Sequence, residues 1–77
     1  MPIRFDGTTA RFEGDCTVEE ALPLAEWLTA TPDGLLDLGT CTALHTAVLQ
    51  VLMAAGRPVT TTPADPFLAR WVIPAIG

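Results

Sequence analysis

The stretch over residues 34–56 constrains the fold of this chain more than any other part of its sequence. Residues 35–38 are apolar except for Asp37 and show no clean alternation, which is typical of a strand buried on both faces of a parallel sheet. From Leu44 onward the apolar residues recur at helical spacing, and Gly56 is a typical helix stop. We therefore predict a buried strand, a loop over residues 39–43 and a helix.

The predicted loop lies at the carboxyl end of a strand and at the amino end of a helix. In open α/β sheets, ligands commonly bind at this edge. We therefore expect the functional site at the rim, a name used here for residues 39–43 together with the start of the following helix.

Length and charge exclude several classes of function. A chain of 77 residues predicts one small domain over residues 1–77 with little room for a deep pocket. Its formal net charge is -5, and its arginines are scattered along the sequence, which argues against a nucleic-acid partner. The sequence contains no lysine, so no lysine can bind phosphate or form a Schiff base.

The spacing of cysteine and histidine residues and the distribution of apolar residues indicate whether the chain binds a cofactor and whether it enters a membrane. Cys16, Cys41 and the single His45 match no metal-ligand spacing, so we predict no metal and no other cofactor. We expect buried free thiols, while the sequence leaves a disulfide open. No signal peptide is visible, which predicts a cytoplasmic protein. Residues 38–56 lack charge but include several polar side chains, so we predict no membrane insertion.

The amino-terminal residues have the alternation of a β-hairpin. Ile3 and Phe5 alternate with polar residues, and the same pattern recurs over residues 10–13. The sequence leaves open whether the turn has two residues or extends through Thr9. We expect the second strand to break at Gly14.

A first helix is predicted over residues 18–29. Thr17 and Glu20 have the spacing of a capping box, and Pro23 predicts a kink or a late start of the helix. The expected core residues are Val18, Ala21, Leu22, Ala25 and Leu28. The residues expected to face solvent are Glu19, Glu20 and Glu26.

A short strand and a third helix complete the chain. Residues 59–62 suit an edge strand, Asp65 before Pro66 predicts a helix start, and Pro74 should end or distort that helix. The expected apolar stripe is Phe67, Leu68, Trp71, Val72 and Ala75, and we expect both tryptophans, Trp27 and Trp71, to fill the core. The resulting fold class is α/β, with a mixed four-stranded sheet, an N-terminal β-hairpin followed by βαβ crossovers, and about three helices.

The segment Leu-Asp-Leu-Gly at 36–39, followed by the apolar helix from Leu44, resembles the core of STAS domains, the family of bacterial anti-sigma-factor antagonists. Members have an apolar strand ending in Asp-Leu-Ser, a short turn, and then Asp-Ser-(Ser or Ala)-Gly-Leu. In this alignment Thr46 takes the place of the phosphorylatable serine, His45 that of the aspartate and Val48 that of the glycine, while Leu49 keeps the leucine. The resemblance covers residues 33–59.

The resemblance implies partner switching by a non-enzymatic protein-interaction module in bacterial signal transduction. The unmodified domain would bind a serine/threonine kinase or an anti-sigma factor, and phosphorylation of Thr46 would break that complex. It also implies an alternative, a constitutive docking subunit of a transport or chemotaxis complex without phosphorylation. The residues expected to bind the partner are Asp37, Gly39, Thr40, Thr42, His45, Thr46, Leu49, Gln50 and Met53.

Other interpretations of these residues stay open at this point. The Thr46 hydroxyl could cap the helix, His45 could be a surface polar residue, and Leu49 with Met53 could pack under a neighbouring helix. A competing class is a small-ligand binder or enzyme subunit that uses Asp37 and the polar residues of the rim. A third hypothesis is a homodimer that pairs through the edge strand or through an exposed helix stripe.

Overall fold

A computed structural model describes residues 2–76 and shows helices packed on one face of a single mixed sheet. The strand order is β1-β2-β3-β4. The strands are β1 (Ile3–Asp6), β2 (Thr9–Cys16), β3 (Leu35–Leu44) and β4 (Val59–Thr61). The helical segments are a 3-10 turn (Val18–Glu20), α1 (Ala21–Ala30), α2 (Thr46–Ala55), a π turn (Leu68–Val72) and α3 (Ile73–Ile76). The predicted α/β fold class, with its four-stranded mixed sheet and three helices, is confirmed.

The hairpin has a two-residue turn, which resolves the register that the sequence left open. β1 runs antiparallel to β2, and Asp6 lies opposite Thr9. Gly7 takes a φ of +62° at the first central position of the turn, a conformation that glycine adopts without strain. β2 is parallel to β3, and β3 is parallel to β4, as two βαβ crossovers require.

Both central strands are longer than predicted. β2 continues to Cys16, and β3 continues to Leu44, so the predicted break at Gly14 and the predicted loop over residues 39–43 are wrong. The register between the strands shifts twice, and each shift leaves one extra residue in β3. Such bulges break the alternation by which a strand is recognised in sequence, which explains the error.

Pro23 sets the beginning of α1. The chain first forms the 3-10 turn and becomes α-helical at Ala21, which places Pro23 in the first turn, where its missing amide breaks no helical hydrogen bond. The predicted late start is confirmed. The capping box is wrong in detail, because the Thr17 hydroxyl donates to Glu20 Oε2 at 2.7 Å and caps no backbone amide.

The delayed start also rotates the buried face of the first helix. Glu20 is only 6% exposed, whereas Val18 and Leu22 are 53% and 69% exposed. The core contacts of α1 come from Leu24 and Leu28 instead. The prediction that Val18 and Leu22 are core and that Glu20 faces solvent is therefore wrong, since it assumed a regular helix from residue 18.

α2 ends as predicted. Gly56 has a φ of +61°, and its amide donates to the Leu52 carbonyl at 3.1 Å. Val48 and Leu52 are fully buried and face the sheet.

The carboxyl-terminal helix begins at the predicted cap. Asp65 Oδ1 accepts hydrogen bonds from the amides of Phe67 at 2.9 Å and Leu68 at 3.1 Å. The predicted distortion near Pro74 is confirmed as the π turn, in which the Ile73 amide donates to the Leu68 carbonyl.

The π turn changes which residues of the carboxyl-terminal helix reach the core. The buried residues are Leu68, Val72 and Ile76. Phe67 and Trp71 are 64% and 61% exposed, and Ala75 is also exposed, so their predicted core positions are wrong. The stripe was predicted with the period of an α-helix, which a wider π turn does not keep.

Trp27 is half-buried and lies at the edge of the core. Its ring stacks on Phe5 with centroids 5.3 Å apart. A Cβ atom at Gly34 would lie 2.9 Å from the Trp27 ring, so only glycine fits under it. Over residues 2–76, the helices are too short or too polar to cross a membrane.

Candidate functional site

His45 forms the junction between β3 and α2. Its backbone is extended, with φ -65° and ψ 146°, and its amide donates to the Cys16 carbonyl at 2.9 Å, which ties the helix start to the end of β2. His45 Nδ1 accepts a hydrogen bond from the Ala47 amide at 3.0 Å. His45 is therefore the N-cap of α2, and in the neutral ring the proton lies on Nε2.

Thr46 is the first residue of α2 and is exposed. Because His45 is the cap, the helix does not need the Thr46 hydroxyl, and within residues 2–76 this hydroxyl makes no hydrogen bond. The interpretation of Thr46 as the cap is wrong. The first turn of α2 contains no acidic residue, so a phosphate on Thr46 would meet the positive end of the helix dipole without a nearby carboxylate on that turn.

The outer face of α2 is defined here by three exposed residues, Thr46, Gln50 and Met53. Met53 is 48% exposed and lies two helical turns from Thr46. Leu49, which we predicted beside them, is half-buried and packs against the core. Of the two apolar residues predicted on this side of α2, Leu49 is therefore half-buried and Met53 is accessible to solvent.

The remaining four candidates lie along β3 and do not form a loop with the helix start. Asp37 accepts hydrogen bonds from the Gly39 amide at 3.0 Å and from Arg11 Nε at 3.3 Å. The Thr40 hydroxyl donates to the Phe12 carbonyl at 3.0 Å, and Thr42 is exposed. Asp37 and Thr40 therefore already have partners inside the domain.

These strand residues belong to the open face of the sheet, which carries no helix within residues 2–76. Arg11 lies opposite Asp37, and Glu13 opposite Thr40, and all four face away from the core. The nine candidates thus separate into two groups. One group follows β3 on the open face, and the other comprises His45 and four residues of α2, of which Leu49 packs against the core.

Ion pairs cross the open face and could not be predicted from the sequence alone. Arg4 pairs with Glu13 at 3.0 Å, and Arg11 contacts Asp37 at 3.3 Å and Asp6 at 3.9 Å. The alternation of charged residues in both hairpin strands was the available signal, but the pairing required the register. Exposed pairs of this kind contribute little to stability, typically below about 1 kcal/mol each.

The two cysteines are buried free thiols, as predicted. A hydrogen bond with Cys41 raises the pKa of Cys16 above the usual thiol range, with burial adding to the rise. The same hydrogen bond lowers the pKa of Cys41 from its ordinary value, against the opposing effect of burial. The two pKa shifts have opposite signs, so in the folded domain Cys41 loses its proton before Cys16 does.

A shallow groove of about 300 Å³ runs between α1 and α2. Its lining is mostly small and apolar, with Arg57 at one end. Arg57 donates to the carbonyls of Leu28, at 2.9 Å, and Thr31, so its guanidinium caps the end of α1. Within residues 2–76, no group of three or more His, Cys, Asp and Glu side chains is placed to hold a metal ion.

Comparisons with protein-family models, curated proteins and solved structures gave no significant match to this chain.

Proposed function

We propose that this chain is a protein-interaction module of the STAS type whose partner binds at the start and on the outer face of α2. Charge at Thr46 controls that binding. One observation carries the proposal: Thr46 is exposed at the first position of α2 while His45 performs the capping that the helix needs. A hydroxyl that is not needed for the fold is accessible to a kinase and can be modified without unfolding the domain.

The neighbouring side chains support a contact surface for a protein. Gln50 offers an amide that can donate and accept, and Met53 offers an adaptable apolar side chain. Both lie on the same side of α2 as Thr46, within two helical turns. A partner that covers this surface would have to supply a hydrogen bond to the Thr46 hydroxyl in place of water.

Phosphorylation would act on the partner more than on the domain. A phosphate adds a charge of roughly -1.5 to -2, which the amino terminus of a helix accommodates. The same charge opposes burial under an apolar partner surface, because its desolvation is costly. The domain would stay folded while the complex dissociates, which is the behaviour of a switch.

The arrangement at His45 supports binding over catalysis. A base that activates Thr46 would need a ring nitrogen with a free lone pair, and Nδ1 already accepts from the Ala47 amide. The carboxylate of Asp37 is held by Arg11 and by the Gly39 amide on the open face of the sheet, away from the helix start. These contacts also weigh against a small-ligand site that would combine Asp37 with His45.

The proposal is tested by recovering the protein from its native host and mapping its modifications by intact mass and fragment analysis. We expect a phosphate on Thr46 in part of the population, and a protein partner that is recovered only with the unmodified part. A stable partner with Thr46 unmodified under all growth conditions would make the domain a constitutive docking subunit and would remove the switch. Mass doubling without another protein would indicate a homodimer instead.

A further inference from the structure

Cys16 and Cys41 lie at the same end of two adjacent parallel strands, on the side of the sheet that faces the core. Cys16 is the last residue of β2, and Cys41 is in the last part of β3. Their exposed fractions are 0% and 2%, and both belong to the single core cluster. They are the two thiols of the whole sequence, and the fold brings them together from 25 positions apart.

The register places the thiols near each other diagonally across the strand pair. Cys41 lies opposite Gly14, while Cys16 lies opposite Leu44. Between these two residue pairs β3 has one extra residue, so the hydrogen-bond pattern between the strands is already irregular there. The strand ends can therefore shift relative to each other without the loss of regular pairing. The Cys41 thiol donates to the Ala43 carbonyl at 3.6 Å, beside that extra residue, and both cysteine side chains belong to the same buried core cluster.

We propose that Cys16 and Cys41 form a reversible intramolecular disulfide that joins the carboxyl ends of β2 and β3. The oxidant is a small-molecule disulfide. The proposal rests on the strand register and on the shared burial of the two side chains, and it does not depend on the proposed partner binding.

The reaction is a pair of thiol–disulfide exchanges. The Cys41 thiolate attacks one sulfur of the small disulfide, which forms a mixed disulfide and releases one small thiolate. The Cys16 thiolate then attacks the Cys41 sulfur, which forms the Cys16–Cys41 bond and releases the second small thiol. Both protein thiols lose their protons, two electrons pass to the small disulfide, and that disulfide ends as two thiols.

Access for the first exchange comes from opening of the strand ends. Cys16 ends β2, and β3 ends at Leu44, so local fraying there exposes both sulfur atoms without unfolding the sheet. Formation of the disulfide would also move the start of α2, because the Cys16 carbonyl accepts a hydrogen bond from the His45 amide. Oxidation is therefore expected to shift the amino terminus of α2.

The test is the thiol–disulfide equilibrium of the purified, reduced protein in buffers of reduced and oxidised glutathione, measured for the folded chain and for the chain denatured in urea. Acid-quenched samples are analysed by intact mass. If the fold favours the bond, the equilibrium constant for closure is larger in the folded chain, and we expect a ratio of about tenfold or more. The closed form is recognised by the loss of two hydrogens and the absence of bound glutathione.

Cys16→Ala and Cys41→Ala variants are the matched controls, since each retains one thiol and can form only a glutathione adduct. An equal or smaller equilibrium constant in the folded wild-type chain would overturn the proposal. So would a folded chain that accumulates mixed disulfides or stays reduced under conditions in which the denatured chain closes. The wild-type comparison remains decisive even if a variant fails to fold.

Discussion

At the scale of single residues, His45 links the fold to the proposed function. Its ring accepts from the Ala47 amide, and its own amide donates to the Cys16 carbonyl, so one residue caps α2 and fixes the helix to the sheet. Capping by His45 is what leaves the Thr46 hydroxyl accessible. The sequence has two adjacent polar residues, His45 and Thr46, at the helix start. It did not show which of them is the cap, because both histidine and threonine can accept a hydrogen bond from an amide.

Replacing His45 tests its capping role. His45→Ala removes the acceptor and should lower the free energy of unfolding by about 1 kcal/mol, whereas His45→Asn keeps an acceptor and should lose less than half as much. Thr46→Ala, next to it, is the matched control and should change stability little. Urea unfolding followed by circular dichroism measures all three, and a Thr46→Ala loss as large as that of His45→Ala would contradict the assignment.

At the scale of elements, Arg57 connects the end of α1 to the segment that precedes β4. Its guanidinium donates to the carbonyl of Leu28, in the last turn of the helix, and to the carbonyl of Thr31, which also accepts from the Gly34 amide at 2.9 Å. The residue is only half-exposed, so water replaces these contacts poorly. This long-range cap could not be predicted from the sequence, since the partners lie more than 20 positions away.

Arg57→Ala should destabilise the domain by about 2 kcal/mol, because two carbonyls lose a charged donor. Arg57→Lys should recover part of this loss, since an ammonium group reaches one carbonyl but lacks the planar fork of arginine. Arg70→Ala is the control, because Arg70 lies over the exposed Trp71 ring at 5.3 Å and should contribute less than about 1 kcal/mol. Denaturant midpoints measure these differences, and equal losses for Arg57→Ala and Arg70→Ala would refute the cap.

The order of the strands and helices was predictable from the sequence. Which side chains of each element face the core was not. Asp65 before Pro66 and Gly56 after α2 mark helix ends by local chemistry, and both predictions are confirmed. The course of β3 beyond Gly39 was not predictable, because its bulges depend on pairing with β2. The same limit applies to the site, where the sequence predicted that Asp37 and His45 belong to one binding surface and the fold separates them.

At the scale of the whole molecule, the thiol pair dominates the response of the domain to alkaline pH. The sequence has neither lysine nor tyrosine, so between about pH 8.5 and pH 11 the titrating side chains are the two cysteines. The folded state keeps one of their protons because the hydrogen bond and burial raise the pKa of Cys16. The unfolded chain loses both near the ordinary thiol pKa of 9.0.

Stability should therefore fall as the pH rises above the ordinary thiol pKa, since the folded state then binds more protons than the unfolded state. The expected slope approaches about 1.4 kcal/mol per pH unit for one retained proton. Below that pH, the lowered pKa of Cys41 makes stability rise with pH, so the maximum should lie near the ordinary thiol pKa. Urea unfolding over the alkaline range measures this profile.

The variant that carries both Cys16→Ala and Cys41→Ala is the control for the alkaline profile. It has no side chain that titrates in this range below arginine, so its stability should be nearly independent of pH there. A wild-type profile as flat as that of the double variant would show that the pKa of Cys16 is not raised in the folded domain.

The proposed function requires that charge at Thr46 controls partner binding without unfolding the domain. The most direct test compares binding of the partner recovered from the host to wild-type protein and to Thr46→Ala, Thr46→Glu and Thr8→Glu variants. Thr8 is an exposed turn residue at the opposite end of β2, so Thr8→Glu adds the same charge away from α2.

We expect Thr46→Glu to weaken the complex at least about tenfold, with unchanged or slightly raised stability, because the helix dipole favours the added carboxylate. Thr46→Ala and Thr8→Glu should bind like the wild-type protein. A Thr46→Glu variant that binds the partner with wild-type affinity, or a Thr8→Glu variant that loses binding to the same degree, would contradict the account.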